Sequence, residues 1–251
     1  KIMPWTTSFT LPAKTLRYLL TMTAFAMAPK DIRYFLMGVL FVVEGAKLIA
    51  VATDTHRLAY CEAEIDGLNQ ETKIEAIVPR KTVRELLRIL PEDDTPVTVN
   101  VGDTQIGFNF AGIEFVSKLI EGKFPDYQRV MPTLDTNPQC VSINREELLL
   151  ALRRVQILTN ERFHGIRWLF TKGSLTVQGS NAEQEEASQK LAVNWEWDDL
   201  DIGFNLLYMI ELLNNLKNSE VNFHFAATPK SVLVTMPESS SFRYLIMPMR
   251  I

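Results

Sequence analysis

Residues 76–90, AIVPRKTVRELLRIL, change character in the middle. Ala76, Ile77 and Val78 form a short apolar run suited to a strand, and Pro79 ends it. Beyond it Val83, Leu86, Leu87 and Leu90 recur at i, i+3, i+4 and i+7, one face of a helix over about 79–90. Arg80, Arg84 and Arg88, with Lys81 beside them, occupy the opposite face. Three alternating strands follow at 95–101, 104–110 and 113–121, separated by Gly102-Asp103 and Ala111-Gly112. A strand, a helix and three antiparallel strands make one unit.

The unit recurs in both directions along the chain. FTLPAKTLRYLL (9–20) opens a helix over about 12–27, with Pro12 in its first turn and Leu16, Leu19, Leu20, Ala24 and Met27 on one face. Strands at 35–43, 47–52 and 57–65 come next. VSINREELLLAL (141–152) opens a third helix, with Asn144 as cap, Glu147 at capping-box spacing and an apolar stripe of Leu148, Leu152 and Val155. It leads to strands at 166–171, 174–180 and 186–194. LDIGFNLLYMIELLNNL (200–216) carries the fourth, which buries Leu206, Met209, Ile210, Leu213 and Leu216 before strands at 219–225, 230–236 and 241–247. Four units pair into two domains, 1–131 and 132–251, with PTLDTNPQ (132–139) at the junction. The expected fold class is α+β: two tandem domains, each a duplicated βαβββ unit with helices on one face and antiparallel sheets on the other. Two unrelated α+β domains are the alternative, and the matched strand order disfavours it.

The chain's net charge of −4 hides a segregation. Lys14, Arg17, Arg80, Lys81, Arg84, Arg88, Arg145, Arg153, Arg154 and Lys217 belong to the four helical stretches, against Glu85, Glu146, Glu147 and Glu211. The helices therefore carry +6 and the remainder −10. Such a surface attracts phosphates without reading bases, and no zinc-finger, basic-zipper or RRM signature offers direct readout. The fourth helix, poor in charge, contributes least.

Catalytic chemistry is not suggested. Asp54 and His56 stand two apart, but no further ligand lies at metal-site spacing, and no nucleophile elbow or phosphate-cradling glycine loop is present. Neither a catalytic residue, a metal nor a cofactor is expected. A hydrolase using Asp54 and His56 is the rival class, and a DNA-binding structural protein without a peptide pocket is a third. Cys61 and Cys140 suggest no disulfide framework, and no apolar run reaches membrane-spanning length, so a cytoplasmic protein that makes no membrane contact is expected. The sequence opens at Lys1 rather than a methionine, which suggests that an upstream segment has been left out.

ATDTHRLA (52–59), VPRK (78–81), KFPDYQRVMP (123–132), NAEQEEA (181–187), IGFN (202–205) and YLIMPMRI (244–251) together resemble the bacterial DNA polymerase III beta subunit family, in its order and spacing. The resemblance covers the family's second and third domains, from about Phe9 to the last residue, and the first domain has no counterpart. It implies the DNA-clamp (processivity) fold: a head-to-tail homodimeric ring whose helices line a channel around duplex DNA, held without sequence preference. It also implies a pocket between the second and third domains that captures linear peptides of the polymerase III alpha subunit, the clamp loader and other clamp-binding proteins. Carried over, that pocket comprises Arg33, Leu36, Thr53, His56, Arg57, Leu58, Pro125 and Val130 from the first half. Asn205, Tyr208, Ser231, Leu245, Ile246, Met247, Pro248, Met249 and Arg250 supply the rest. Leucine, proline and methionine give an adaptable apolar wall, and His56, Arg57 and Arg250 supply donors. Thr55, also counted in the pocket, replaces the family's common glycine and narrows the floor; Ile251 replaces a common leucine. Since the family closes its ring through the first domain, the resemblance implies that this chain alone is a monomer.

Overall fold

Proline sets two of the four long-helix starts. In the computed structural model, which describes residues 5–159 and 164–251, Pro12 and Pro79 are extended (φ −62° and −61°) and stand immediately before the helix. They are N-caps rather than first-turn residues, a correction at Pro12. In chain order the first compact unit, Lys1–Arg129, contains β1 (Trp5–Pro12), α1 (Ala13–Thr21), β2 (Gly38–Gly45), β3 (Lys47–Thr53) and β4 (Arg57–Glu64). Then come β5 (Gln70–Pro79), α2 (Arg80–Ile89), β6 (Pro96–Gly102), β7 (Gln105–Phe110) and β8 (Ile113–Lys118). A single turn, α3 (Tyr127–Val130), lies at the division. The second unit, Val130–Ile251, holds β9 (Gln139–Asn144), α4 (Arg145–Gln156), β10 (Gly165–Thr171), β11 (Ser174–Ser180) and β12 (Glu186–Ala192). It ends with β13 (Leu200–Asn205), α5 (Leu206–Asn215), β14 (Glu220–Phe225), β15 (Val232–Met236) and β16 (Ser239–Ile246).

Within each unit the two repeats interlock. The first unit has antiparallel sheets ordered β1-β6-β7-β8 and β5-β2-β3-β4. The leading strand of each repeat thus joins the three strands of the other. The second unit repeats the exchange, with β12-β11-β10-β13 and β9-β14-β15-β16. Neither repeat completes a four-stranded sheet by itself, which is why the repeats come in pairs.

The helices of each pair touch one another and press their apolar faces on the sheets. Leu16, Leu19, Leu20, Val83 and Leu86 are fully buried in the first unit; Leu148, Leu152, Leu206, Met209 and Leu213 play that part in the second. Aromatic packing fills the second core. The Trp168 ring meets Phe204 edge-on at 4.9 Å and Phe223 at 5.4 Å, and Phe170 stacks on Trp195 at 4.4 Å. Such pairs add about 0.5–1.5 kcal/mol each beyond their burial.

Several expected boundaries move. The first helix ends at Thr21, not near residue 27, and a 3₁₀ turn at Ala24–Ala26 follows. Thr23 turns its hydroxyl back to the Leu19 carbonyl (2.7 Å), the local competition that ends helices at Ser and Thr. The strand expected from residue 35 begins at Gly38, after a 3₁₀ turn at Tyr34–Met37. The last helix stops at Asn215, whose side chain donates to the Glu211 carbonyl (2.7 Å), and Leu216 is extended. Lys217 therefore lies beyond it, a correction to the helical charge count: the long helices hold nine basic and four acidic residues, net +5. Among the described residues no helix is long and apolar enough to cross a membrane, and no cluster of three or more His, Cys, Asp or Glu is placed to hold a metal ion.

Candidate functional site

The turn between β3 and β4 is built from its own side chains. Asp54 Oδ1 accepts from the backbone N–H groups of His56 (3.0 Å) and Arg57 (3.1 Å), while Oδ2 accepts from Arg57 Nε (3.2 Å). The Thr53 hydroxyl donates to the Arg57 carbonyl (2.7 Å) and accepts from the Thr55 N–H (3.1 Å). Asp54 and Arg57 are almost wholly buried, and Arg57 lies over the Phe25 ring at 5.8 Å. Both Asp54 oxygens are thus engaged in shaping a turn, and the acid–base role offered to Asp54 with His56 has no geometric support. This tight closure forces Thr55 to φ 77°, a left-handed conformation that suits glycine and strains a β-branched residue. The Thr55 and His56 side chains are exposed.

In the same unit Leu36 is fully buried, its carbonyl accepting from Ala28 N–H (2.9 Å). Arg33 is exposed and forks onto Asp31 at 3.0 and 2.9 Å, and these bonds hold the Asp31 carboxyl down at about 2. Leu58 is buried, Pro125 half-buried and Val130 exposed. The solvent-facing members within the first unit are therefore Arg33, Thr55 and His56, with Val130, the first residue of the second unit, also exposed; Leu36, Thr53, Arg57 and Leu58 are buried.

In the second unit, Asn205 caps α5 by accepting from the Tyr208 N–H (3.2 Å), which fixes the half-buried Tyr208 in its first turn. Ser231 is held at its carbonyl by Asn137 Nδ2 (2.8 Å), which also donates to the His224 carbonyl (3.0 Å). Asn137 is buried, though it sits in the stretch that looked like a polar junction in the sequence. Its signal was the asparagine before a proline, and only the fold reveals the carbonyls it serves. Leu245 and Ile246 are core residues of β16, whereas Met247 and Arg250 are exposed and Pro248 and Met249 half-buried. Met249 N–H donates to the Gly203 carbonyl (2.8 Å), so the chain's end lies along β13. A side chain on Gly203 would meet the Met249 carbonyl at 2.6 Å and the Ile251 side chain, so the IGFN motif needs its glycine for close approach.

The cationic helix residues separate into two kinds. Arg17 on α1 donates to the Leu87 (2.7 Å) and Leu90 (3.1 Å) carbonyls at the C-terminal end of α2. Arg145 on α4 donates to the Leu213 (3.1 Å) and Asn218 (2.9 Å) carbonyls at the end of α5. Both neutralise the negative end of a neighbouring helix and are mostly buried. Lys14 pairs with Asp94 (2.8 Å) and Arg88 with Glu85 (2.7 Å), while Arg153 and Arg154 bond Asn214 and Gln189. Arg80, Lys81 and Arg84 on α2, by contrast, have no carboxylate within 4.0 Å among the described residues. Burial, and then the charge of Arg84, lower the Arg80 pKa, as expected for like charges one turn apart. This uncompensated stripe and the turn at residues 53–57 are the two surfaces with most to offer a ligand.

Two tandem α+β domains with exchanged strands and paired helices define the class of DNA-clamp proteins. The DNA polymerase III beta subunit's central-domain family matches residues 10–126, and its C-terminal-domain family matches residues 128–250. The chain belongs to the DNA polymerase III beta subunit family. It is 41% identical over 243 residues to the beta sliding clamp of Haemophilus influenzae, covering 97% of this chain and 65% of that protein. It is 38% identical to the beta sliding clamp of Pseudomonas aeruginosa, covering 99% and 67%. A crystal structure of the P. aeruginosa DNA polymerase III subunit beta aligns over the whole chain and 68% of its own, with TM-score 0.95 and 37% identity. A Bartonella birtlesii sliding clamp bound to griselimycin aligns over the same shares with TM-score 0.90 and 32% identity. The chain thus spans about two thirds of the length of the relatives it matches.

Proposed function

We propose that this chain is the DNA-holding and partner-binding part of a sliding clamp that confers processivity on a replicative DNA polymerase. The observation that carries the reading is the Arg80, Lys81 and Arg84 stripe: three cations on one helix without a carboxylate partner among the described residues, in a chain of net negative charge, within a family of sliding clamps. Charges so placed attract the phosphate backbone of any duplex, giving weak, salt-sensitive contact without base selection, as a mobile tether requires. The clamp acts by encircling duplex DNA, as a head-to-tail homodimer when full length. It catalyses nothing, requires no cofactor and works in the cytoplasm.

Partner capture rests on residues of each unit. The exposed Thr55, His56 and Arg33 in the first, and Met247, Pro248, Met249 and Arg250 in the second, combine donors with deformable apolar surface. Leucine- or phenylalanine-containing peptides from polymerase, clamp loader and repair proteins are the ligands. Fluorescence polarisation with a labelled polymerase-tail peptide tests this. Saturable binding, weakened by His56→Ala, is expected; no binding at high micromolar peptide would refute it.

A further inference from the structure

Each unit closes in the same way. The chain leaving the last strand, β8 or β16, crosses to the strand that leads the second repeat, β5 or β13, and makes one antiparallel bridge with it. Ile120 bridges Ile77 in the first unit, and Met249 bridges Gly203 in the second. The hydrogen bonds correspond: Ile120 N–H donates to the Ile77 carbonyl (2.9 Å) and Met249 N–H to the Gly203 carbonyl (2.8 Å). The duplication thus places a crossing segment, with a groove beside it, in both units. Counting the second unit's segment as partner-binding rests on the function proposed above; the first unit's groove stands without that reading.

The two grooves differ in room and in charge. Two residues beyond the bridge the second unit has Ile251, whose side chain lies against Gly203, whereas the first has Gly122, which carries none. The first groove is the roomier, about 470 Å³ against about 390 Å³. In the second, Arg167 pairs with Asp201 (3.2 Å), which leaves the exposed Arg250 as surplus charge. In the first, the carboxylates of Glu75, Asp103 and Glu121 line the groove against the single ammonium of Lys118. All four are exposed. Lys73 pairs with Glu75 (3.3 Å) and the Thr6 hydroxyl donates to Asp103 (3.4 Å), but Glu121 has no ion-pair partner within 4.0 Å among the described residues. Ile77 and Phe124 give the same groove an apolar floor.

We infer that the first unit's groove is a second site for linear partner segments, one that takes lysine or arginine beside an apolar side chain. Among the described residues no three acids are placed to hold a metal ion, so these carboxylates suit cations spread along a chain. The floor suits the apolar neighbour, and the volume accommodates a few side chains. Built on one framework with opposite surplus charge, the two grooves sort their ligands: a segment that suits one is repelled by the other.

Fluorescence polarisation with a labelled Arg-Leu-Phe-Arg amide tests this. Binding should saturate, and Glu121→Lys should weaken it about fivefold, since an attraction becomes a repulsion. Lys118→Glu should strengthen it, a gain that misfolding cannot produce. Glu238→Lys, at an exposed position in the second unit, changes the net charge by the same amount as Glu121→Lys and should leave binding unaltered. His56→Ala should also leave it unaltered while weakening the polymerase-tail peptide, so the two sites succeed or fail separately. Absence of saturable binding at millimolar peptide would overturn the inference. Equal losses in Glu121→Lys and Glu238→Lys would overturn it too, by reducing the effect to overall charge.

Discussion

The Asp54 carboxylate and the Arg57 guanidinium lie 3.2 Å apart with side-chain exposures of only 9% and 6%. The carboxylate also accepts from the His56 and Arg57 N–H groups, and removing either side chain leaves the other's charge buried. Arg57→Ala should destabilise the first unit by about 3–5 kcal/mol. Asp54→Asn keeps an oxygen for the turn's N–H groups and should cost less. Urea denaturation of the two variants checks the order, and equal costs would contradict it.

Thr55 should be improved by replacement. At φ 77° a glycine relieves roughly 1–2 kcal/mol of strain, part of which its greater unfolded freedom returns. Thr55→Gly is expected to raise stability by about 0.5–1 kcal/mol, and thermal unfolding that drops on substitution would argue against strain here.

Arg17 and Arg84 should separate in their effects. Arg17→Ala strips the end of α2 of its donors and should lower stability by about 1.5–3 kcal/mol, the worth of a charged hydrogen bond. Arg84→Ala, on an exposed position without an ion-pair partner among the described residues, should leave stability within about 0.5 kcal/mol. Duplex DNA association measured against salt should lose a slope of about 0.9 for Arg84→Ala and almost none for Arg17→Ala.

His224 gives the second unit a pH signature. Burial holds its pKa below the ordinary 6.5, and its Nε2 lies 2.7 Å from Thr235 Oγ1. The unfolded chain therefore binds the proton first as pH falls. The stability that His224 contributes is whole above pH 6.5 and declines below it, until the folded imidazole also titrates. Denaturant midpoints at about pH 7.5 and about pH 5.5, either side of that ordinary value, should differ less for His224→Gln than for the parent chain.

At Gly203 an added methyl would meet the Met249 carbonyl at 2.6 Å. Gly203→Ala should detach the last residues from β13, so carboxypeptidase should trim the chain faster while α5 and the aromatic core remain intact. Unchanged trimming would show that the end is not held there.

The repeat and its helices were legible because leucine periodicity and the Asn144 cap act locally. Asn144 caps as its spacing implied, accepting from the Glu147 N–H, and Asn205, not singled out as a cap in the sequence, does the same at the Tyr208 N–H. What periodicity does not carry is the exchange of leading strands, since β1 meets β6 across more than eighty residues of chain. The charge segregation was visible, but not its division of labour: nothing in the spacing of Arg17 distinguishes it from Arg84. At the candidate site the resemblance pointed to Leu36, Arg57 and Leu58 alongside His56 and Thr55, but the first three are buried and only the last two are exposed. Thr55 announced itself only as a departure from glycine; its backbone angle supplies the reason.

Arg17 and Arg145 each tie one helix of a pair to the far end of the other. On the function proposed above, an alanine scan scored only by retention on DNA would rank both among its strongest hits, since a loosened helix pair also displaces the cations beside it. Reading such hits as phosphate contacts would misplace the path of the duplex. Melting curves collected beside the retention data would sort the ties from the true contacts.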